Sequence, residues 1–193
     1  MRKLILIKHA APLVDPQKSS EQWKLSEKGR ESCAPLADAL RALEPKILVS
    51  SEEPKAQETA QLAASRLSVP TQTAKNLHEH DRSNVPHMRS GEFISHMELF
   101  FRKPEDLVLG KETAAEAQAR IESALRDLLE KHPSGNIAVV THGTVLALFL
   151  AARSSRNGFD LWREMGLPSF AVLSLPDYRL EQLQSKVAAS PPR

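Results

Sequence analysis

The sequence predicts an α/β fold: a three-layer sandwich whose mostly parallel sheet carries helices on both faces. Two observations carry this reading. Apolar residues come in short unbroken runs, the pattern of strands buried on both faces. Stretches with a single apolar stripe at helical spacing separate those runs, so strands and helices alternate.

In chain order, Lys3 to Lys8 reads as the first buried strand, around Leu4-Ile5-Leu6-Ile7. A helix is expected from Ser26, a good N-cap, to Leu43, with Leu36, Leu40 and Leu43 on one face. Pro35 lies inside it, where it should kink or break the helix. Ile47-Leu48-Val49 is the second strand, and Pro54 opens the next helix, with Ala56, Ala60, Ala63 and Leu67 on its apolar side. Val69 to Thr73 is a weaker strand, because Pro70 fits only an edge or a strand end. Thr113 to Lys131 is the clearest helix, opened by a capping box of Thr113 and Glu116. Ile137-Ala138-Val139-Val140 and Phe170-Ala171-Val172-Leu173 are further buried strands. A helix should follow Gly143, and a short one should cover Asp160 to Met165. Tyr178 to Gln184 reads as an edge strand and Ser185 to Arg193 as a frayed tail.

The 193 residues predict one domain, 1–193, interrupted by a small, partly helical insertion at about 82–110 that would cover the site. This insertion holds Met88, Phe93, Met97, Phe100 and Phe101 without a strand pattern.

Lys and Arg number 26 against 24 Asp and Glu, a net charge of +2, so nothing global draws the chain to nucleic acid or an anionic membrane. Cys33 is the single cysteine, which rules out an internal disulfide and a cysteine-based zinc site. The run after Met1-Arg2-Lys3 is too short for a signal peptide, and no stretch reaches the length of a membrane span. The expectation is a cytoplasmic protein.

In parallel sheets the chemistry lies beyond the carboxyl ends of the strands. Lys8-His9-Ala10 stands at one such end and Thr141-His142-Gly143 at another. One histidine closing a strand is unremarkable, but two with matching placement point to a site. Lys55 falls in the first turn of the helix opened by Pro54, where backbone N–H groups already favour an anion; it is either a phosphate contact or a solvated surface lysine. Glu79 follows the apolar anchor Leu77 just before the insertion. His78 and His80 flank it, and on a strand their spacing would suit a metal, but nothing else supplies a convincing ligand set.

Taken in order, these segments resemble the histidine phosphatase superfamily, with its phosphoglycerate mutase-like fold. The motifs are strand-basic-His (Lys3 to His9), Leu-Ser-x-x-Gly (Leu25 to Gly29), Ser-Ser-x-x-x-basic-Ala-x-x-Thr-Ala (Ser50 to Ala60), Leu-x-Glu (Leu77 to Glu79) and strand-Thr-His-Gly (Ile137 to Gly143). The resemblance implies a phosphomonoester or phosphohistidine hydrolase. His9 would be the nucleophile that becomes a phosphohistidine, Glu79 the general acid and base, and His142 a charged donor to the phosphoryl oxygens. Lys8, Lys55, Ala10 and Gly143 would line the substrate site. It implies no metal and no cofactor. The partner would be a small phosphorylated substrate or a phosphoprotein, and the short insertion favours hydrolysis over mutase chemistry.

The sequence departs from the family pattern at four places. Lys8 and Lys55 stand where arginines are usual, which keeps the charge and gives up the bidentate fork. Asp15 stands where an asparagine is common, and would repel phosphate unless it points away or is protonated. Glu58 replaces a glutamine, on the expected supporting face of its helix. Two readings stay open beside a metal-dependent alternative on His78 and His80: a working phosphatase with a lysine pocket, or a non-catalytic member that binds a phosphorylated ligand or partner. Arg82, His87, Arg89 and Arg102 are either readers of a second anionic group or plain surface charges.

Overall fold

The first strand of the central sheet divides its side chains between two apolar cores. Leu4 and Leu6 join one cluster and Ile5 and Ile7 the other, as period-two geometry requires. The computed structural model describes residues 1–187. Six strands form the sheet: β1 (Lys3–Lys8), β2 (Pro45–Ser50), β3 (Thr71–Thr73), β4 (Asn136–Thr141), β5 (Ser169–Ser174) and β6 (Arg179–Gln184). Their order is β3-β2-β4-β1-β5-β6. β1, β2, β3 and β4 are parallel to their neighbours within that group, while β5 runs antiparallel to β1 and β6 antiparallel to β5.

The helices are α1 (Glu27–Arg41), α2 (Pro54–Leu67), α3 (Ser90–Arg102), α4 (Ala114–Lys131), α5 (Gly143–Ala151) and α6 (Gly158–Glu164). Leu36, Ala37 and Leu40 of α1 and Ala56, Ala60, Ala63 and Ala64 of α2 pack on Ile5, Ile7, Leu48 and Val140. Residues of α3, α4, α5 and α6 cover the opposite face, among them Phe100, Ile121, Leu125, Phe149 and Leu161. This is the expected three-layer sandwich. Within the 82–110 segment, Met97 and Phe100 of α3 are fully buried in that second core.

The expected caps are present. Ser26 accepts from the Gly29 N–H, and Thr113 with Glu116 closes a reciprocal capping box. The expected kink or break at Pro35 is not a break: α1 runs through it as one helix. Burial of Leu36 and Leu40, each worth roughly 1.5–3 kcal/mol, offsets the roughly 3 kcal/mol a mid-helix proline costs. α6 begins two residues before the expected Asp160, because the Asn157 side chain caps it by accepting from the Phe159 and Asp160 N–H groups. Of the expected tail, Ser185 and Val187 are tied back through bonds to Gly166 and Pro168, and 188–193 lie outside the described residues.

The antiparallel direction of β5 matters for the site. Ser169 pairs with Lys8, so β5 starts at the edge where β1 ends. That brings Met165, just ahead of it, beside Lys8. No described helix is long and apolar enough to cross a membrane.

Candidate active site

The parallel register sets the motif residues level at one sheet edge. Lys8 pairs with Thr141, and the His9 N–H donates to the Thr141 carbonyl at 3.1 Å. The Ser51 N–H likewise donates to Val140 at 3.0 Å, so β2 ends beside β4. The Thr141 hydroxyl donates to the Leu77 carbonyl at 2.7 Å and pins the loop that carries Glu79. Residues far apart in sequence therefore converge because three strands end together.

His9 Nδ1 lies 2.7 Å from the Ala10 carbonyl oxygen. A carbonyl only accepts, so Nδ1 carries the proton and Nε2 keeps its lone pair. Burial pushes the His9 ring well below its ordinary pKa, with His142 and Lys55 adding to the effect. His9 is thus a neutral imidazole with a free Nε2. Its ring centroid lies 5.1 Å from that of His142.

His142 is fully buried, with Nε2 2.7 Å from Ser51 Oγ and 3.3 Å from Glu53 Oε1. The carboxylate beside Nε2 favours a proton on that nitrogen over a lone pair. Burial, reinforced by Lys55, holds this ring well below its ordinary pKa against the opposing pull of Glu79. Without a ligand, then, only Glu79 and Glu53 among the described residues favour a charged His142; the expected charged donor is a role toward a bound phosphoryl group.

Glu79 sits on the N-terminus of α5. Its carboxylate accepts from the Thr144 N–H at 3.1 and 3.2 Å and from the Val145 N–H at 3.4 Å. Burial alone would raise its pKa. Arg82, His142 and the N–H groups of His80 and Thr144 outweigh that and hold the carboxyl well below the usual range. Arg82 Nη2 approaches Glu79 Oε2 at 3.8 Å, and its Nη1 lies 3.3 Å from the Thr144 hydroxyl. Of the basic residues in the 82–110 segment considered above, Arg82 reaches the site, whereas His87, Arg89 and Arg102 are exposed.

The two lysines are occupied by protein groups. Lys8 Nζ donates to the Met165 carbonyl at 2.7 Å, and its chain lies against Gly143, where a Cβ would come within 2.9 Å of Lys8 Cε. Burial lowers the Lys8 pKa, although Glu79 opposes the shift. Lys55 Nζ donates to Glu53 Oε2 at 2.5 Å and to the Ser20 carbonyl at 2.6 Å. Lys55 is buried, so the solvated-surface reading is excluded. Ala10 serves the site through its carbonyl, since Thr59 Oγ1 takes its N–H at 3.0 Å. Asp15 does not crowd the site: its carboxylate pairs with Lys18 at 3.0 Å. Glu58 supports α1, accepting from the Leu25 N–H and pairing with Arg30.

The sequence reading missed Glu53 and Ser51. Glu53 contacts Lys55, His142 and the Glu79 N–H at once. The signal was an acidic residue two positions before a cation in a first helical turn, where a buried lysine needs a counter-charge.

The metal alternative lacks a geometry. His80 Nε2 donates to the Glu112 carbonyl at 3.0 Å, its Nδ1 faces Arg82 at 3.5 Å, and its ring packs on Phe100. Among the described residues no group of three or more His, Cys, Asp or Glu side chains is placed to hold an ion.

The family model of the histidine phosphatase superfamily (branch 1) matches residues 4–185. The chain belongs to the histidine phosphatase superfamily. Solved structures share its fold at low identity. A mycobacterial glucosyl-3-phosphoglycerate phosphatase complexed with VO3 aligns with a TM-score of 0.74 and 21% identity, covering 96% of this chain and 100% of that one. YhfR of Bacillus stearothermophilus aligns at 0.76 and 20%, covering 98% of each chain. An H9A mutant of phosphoserine phosphatase from Entamoeba histolytica, in complex with phosphoserine, aligns at 0.77 and 16%, covering 96% and 98%. No curated protein matches the chain by sequence. The superfamily's motifs span this chain from β1 to α5, and they meet at one sheet edge.

Proposed function

We propose that this histidine phosphatase superfamily member hydrolyses phosphomonoesters or phosphohistidine through a covalent phosphohistidine on His9. One observation carries the reading: the Ala10 carbonyl holds Nδ1 of a neutral His9 ring, which leaves Nε2 as an unprotonated nucleophile. The phosphatase names of the solved relatives support the reaction class.

In the first step His9 Nε2 attacks phosphorus and the ester P–O bond breaks. The leaving oxygen takes a proton from Glu79. In the second step water attacks phosphorus, Glu79 takes its proton, and the P–N bond breaks to release phosphate. Glu79 is ionised before substrate binds, so the proton it delivers enters with the substrate, as a phosphomonoester monoanion. His142, Lys55, Lys8 and Arg82 stabilise the phosphoryl charge, and no metal takes part. The substrate is a small phosphorylated molecule or a phosphoprotein, met in the cytoplasm.

A panel of phosphomonoesters assayed with wild type and His9→Ala tests the reading. Phosphate release by wild type alone supports it; equal inertness overturns it. A second reading, a non-catalytic binder of phosphorylated ligands, is favoured by Lys8 and Lys55 being held by protein acceptors. It predicts phosphate-ester binding without release in both proteins.

A further inference from the structure

We propose that the Glu53 carboxylate competes with the phosphoryl group for Lys55 and His142, and so keeps free phosphate weakly bound. The inference rests on the phosphoryl site proposed above. Lys55 Nζ and His142 Nε2 are two of its donors, and both lie beside this one carboxylate, at 2.5 and 3.3 Å. The Glu79 N–H donates to it at 2.8 Å. Glu53 precedes α2 as its N-cap residue, yet its side chain makes no capping bond. The carboxylate is committed to the site instead of to the helix.

The placement is that of an internal anion. A cavity of about 250 Å3 opens beside the phosphoryl site, and Glu53 and Glu79 line it. Lys55 and His142 are buried against Glu53. A phosphoryl group that uses these donors must displace the carboxylate or share donors with it, and two anions sharing one set of donors repel. Free phosphate has only its charge to offer in that exchange. A phosphate ester also fills the cavity beside Ser20, Glu79 and Arg82, and those contacts offset the displacement. Glu53 therefore weakens the hold on the bare phosphate product, while an ester keeps affinity through its further contacts.

Titration calorimetry with inorganic phosphate tests this on the full chain as wild type, Glu53→Gln, Lys55→Met and the double variant. The Gln side chain keeps the size and loses the charge. Glu53→Gln is expected to bind phosphate about tenfold tighter, and that gain should shrink in the Lys55→Met background. A residue that only neutralised a buried lysine for stability would not raise phosphate affinity, so an unchanged or weaker affinity overturns the proposal. If Glu53→Gln does not fold, Glu53→Asp withdraws the carboxylate by one methylene and is expected to tighten phosphate binding several-fold; no tightening overturns the proposal. Binding is read without turnover, so the two readings fail separately. Tighter binding with no hydrolysis by any protein sinks the phosphatase reading and leaves Glu53 as assigned. Hydrolysis with unaltered phosphate affinity does the reverse.

Discussion

The Glu79 carboxylate rests on the first turn of α5, with the Thr144 N–H donating to both of its oxygens at 3.1 and 3.2 Å. A helix N-terminus favours an anion there, and Arg82 adds a cation 3.8 Å away. The same contacts that position Glu79 keep it ionised. Glu79→Gln should therefore fold and bind phosphate while losing roughly 10²–10⁴-fold in kcat, the usual weight of a general acid and base. Steady-state kinetics with a phosphomonoester checks it, and a loss confined to KM would assign Glu79 to binding alone.

The pH profile should carry the signature of a substrate-borne proton. His9 titrates well below 6.5, so its nucleophilic form persists as pH falls through that value. Phosphomonoesters become monoanions below roughly pH 6. kcat/KM is thus expected to rise as pH drops from 8 toward about 6, with no loss at the ordinary histidine pKa. A decline centred near 6.5 would show that His9 is an ordinary imidazole.

Acid should destabilise the fold earlier than carboxylate titration alone would. His9 and His142 both have depressed pKa values in the folded chain. Below about pH 6.5 the unfolded chain takes up protons that these two folded rings refuse, so stability falls with falling pH. Glu79, also depressed, extends the loss at lower pH. Tm measured from pH 8 to 5 should drop through this range, and His142→Phe should flatten the drop.

Gly29 lets α1 approach the loop after β1. A Cβ at this position would lie 2.1 Å from the Ala11 carbonyl oxygen, which also accepts from the Ser26 N–H and hydroxyl, both at 3.0 Å. Gly29→Ala should cost about 1–3 kcal/mol by overpacking, read as a lower midpoint in urea. Wild-type stability would mean that the helix shifts freely at this contact.

Much of this site was legible before any coordinates. The unbroken apolar runs ending in His9 and His142 mark strands whose ends must lie at the same edge, because parallel strands bring their carboxyl ends together. The Thr113 and Glu116 capping box is local chemistry and reads directly. Strand direction is different. Phe170 to Leu173 is buried on both faces whether it runs parallel or antiparallel, so the run does not show that Met165 meets Lys8. Continuity through Pro35 was equally hidden, since it depends on what Leu36 and Leu40 bury against. Glu53 escaped because its role lies in contacts with His142 and Glu79, far along the chain. Lys55 in a first helical turn was the legible half of that pair.

The central claim is that His9 is the phosphoryl acceptor. Wild type mixed with a phosphomonoester, quenched in alkali within its first turnovers and digested for mass spectrometry, tests it most directly. The account predicts a phosphohistidine on the peptide carrying His9, absent from His9→Ala and accumulating in Glu79→Gln with a substrate whose leaving group needs no proton. Phosphate release by wild type with no phosphopeptide at His9, or equal release by His9→Ala, would contradict it.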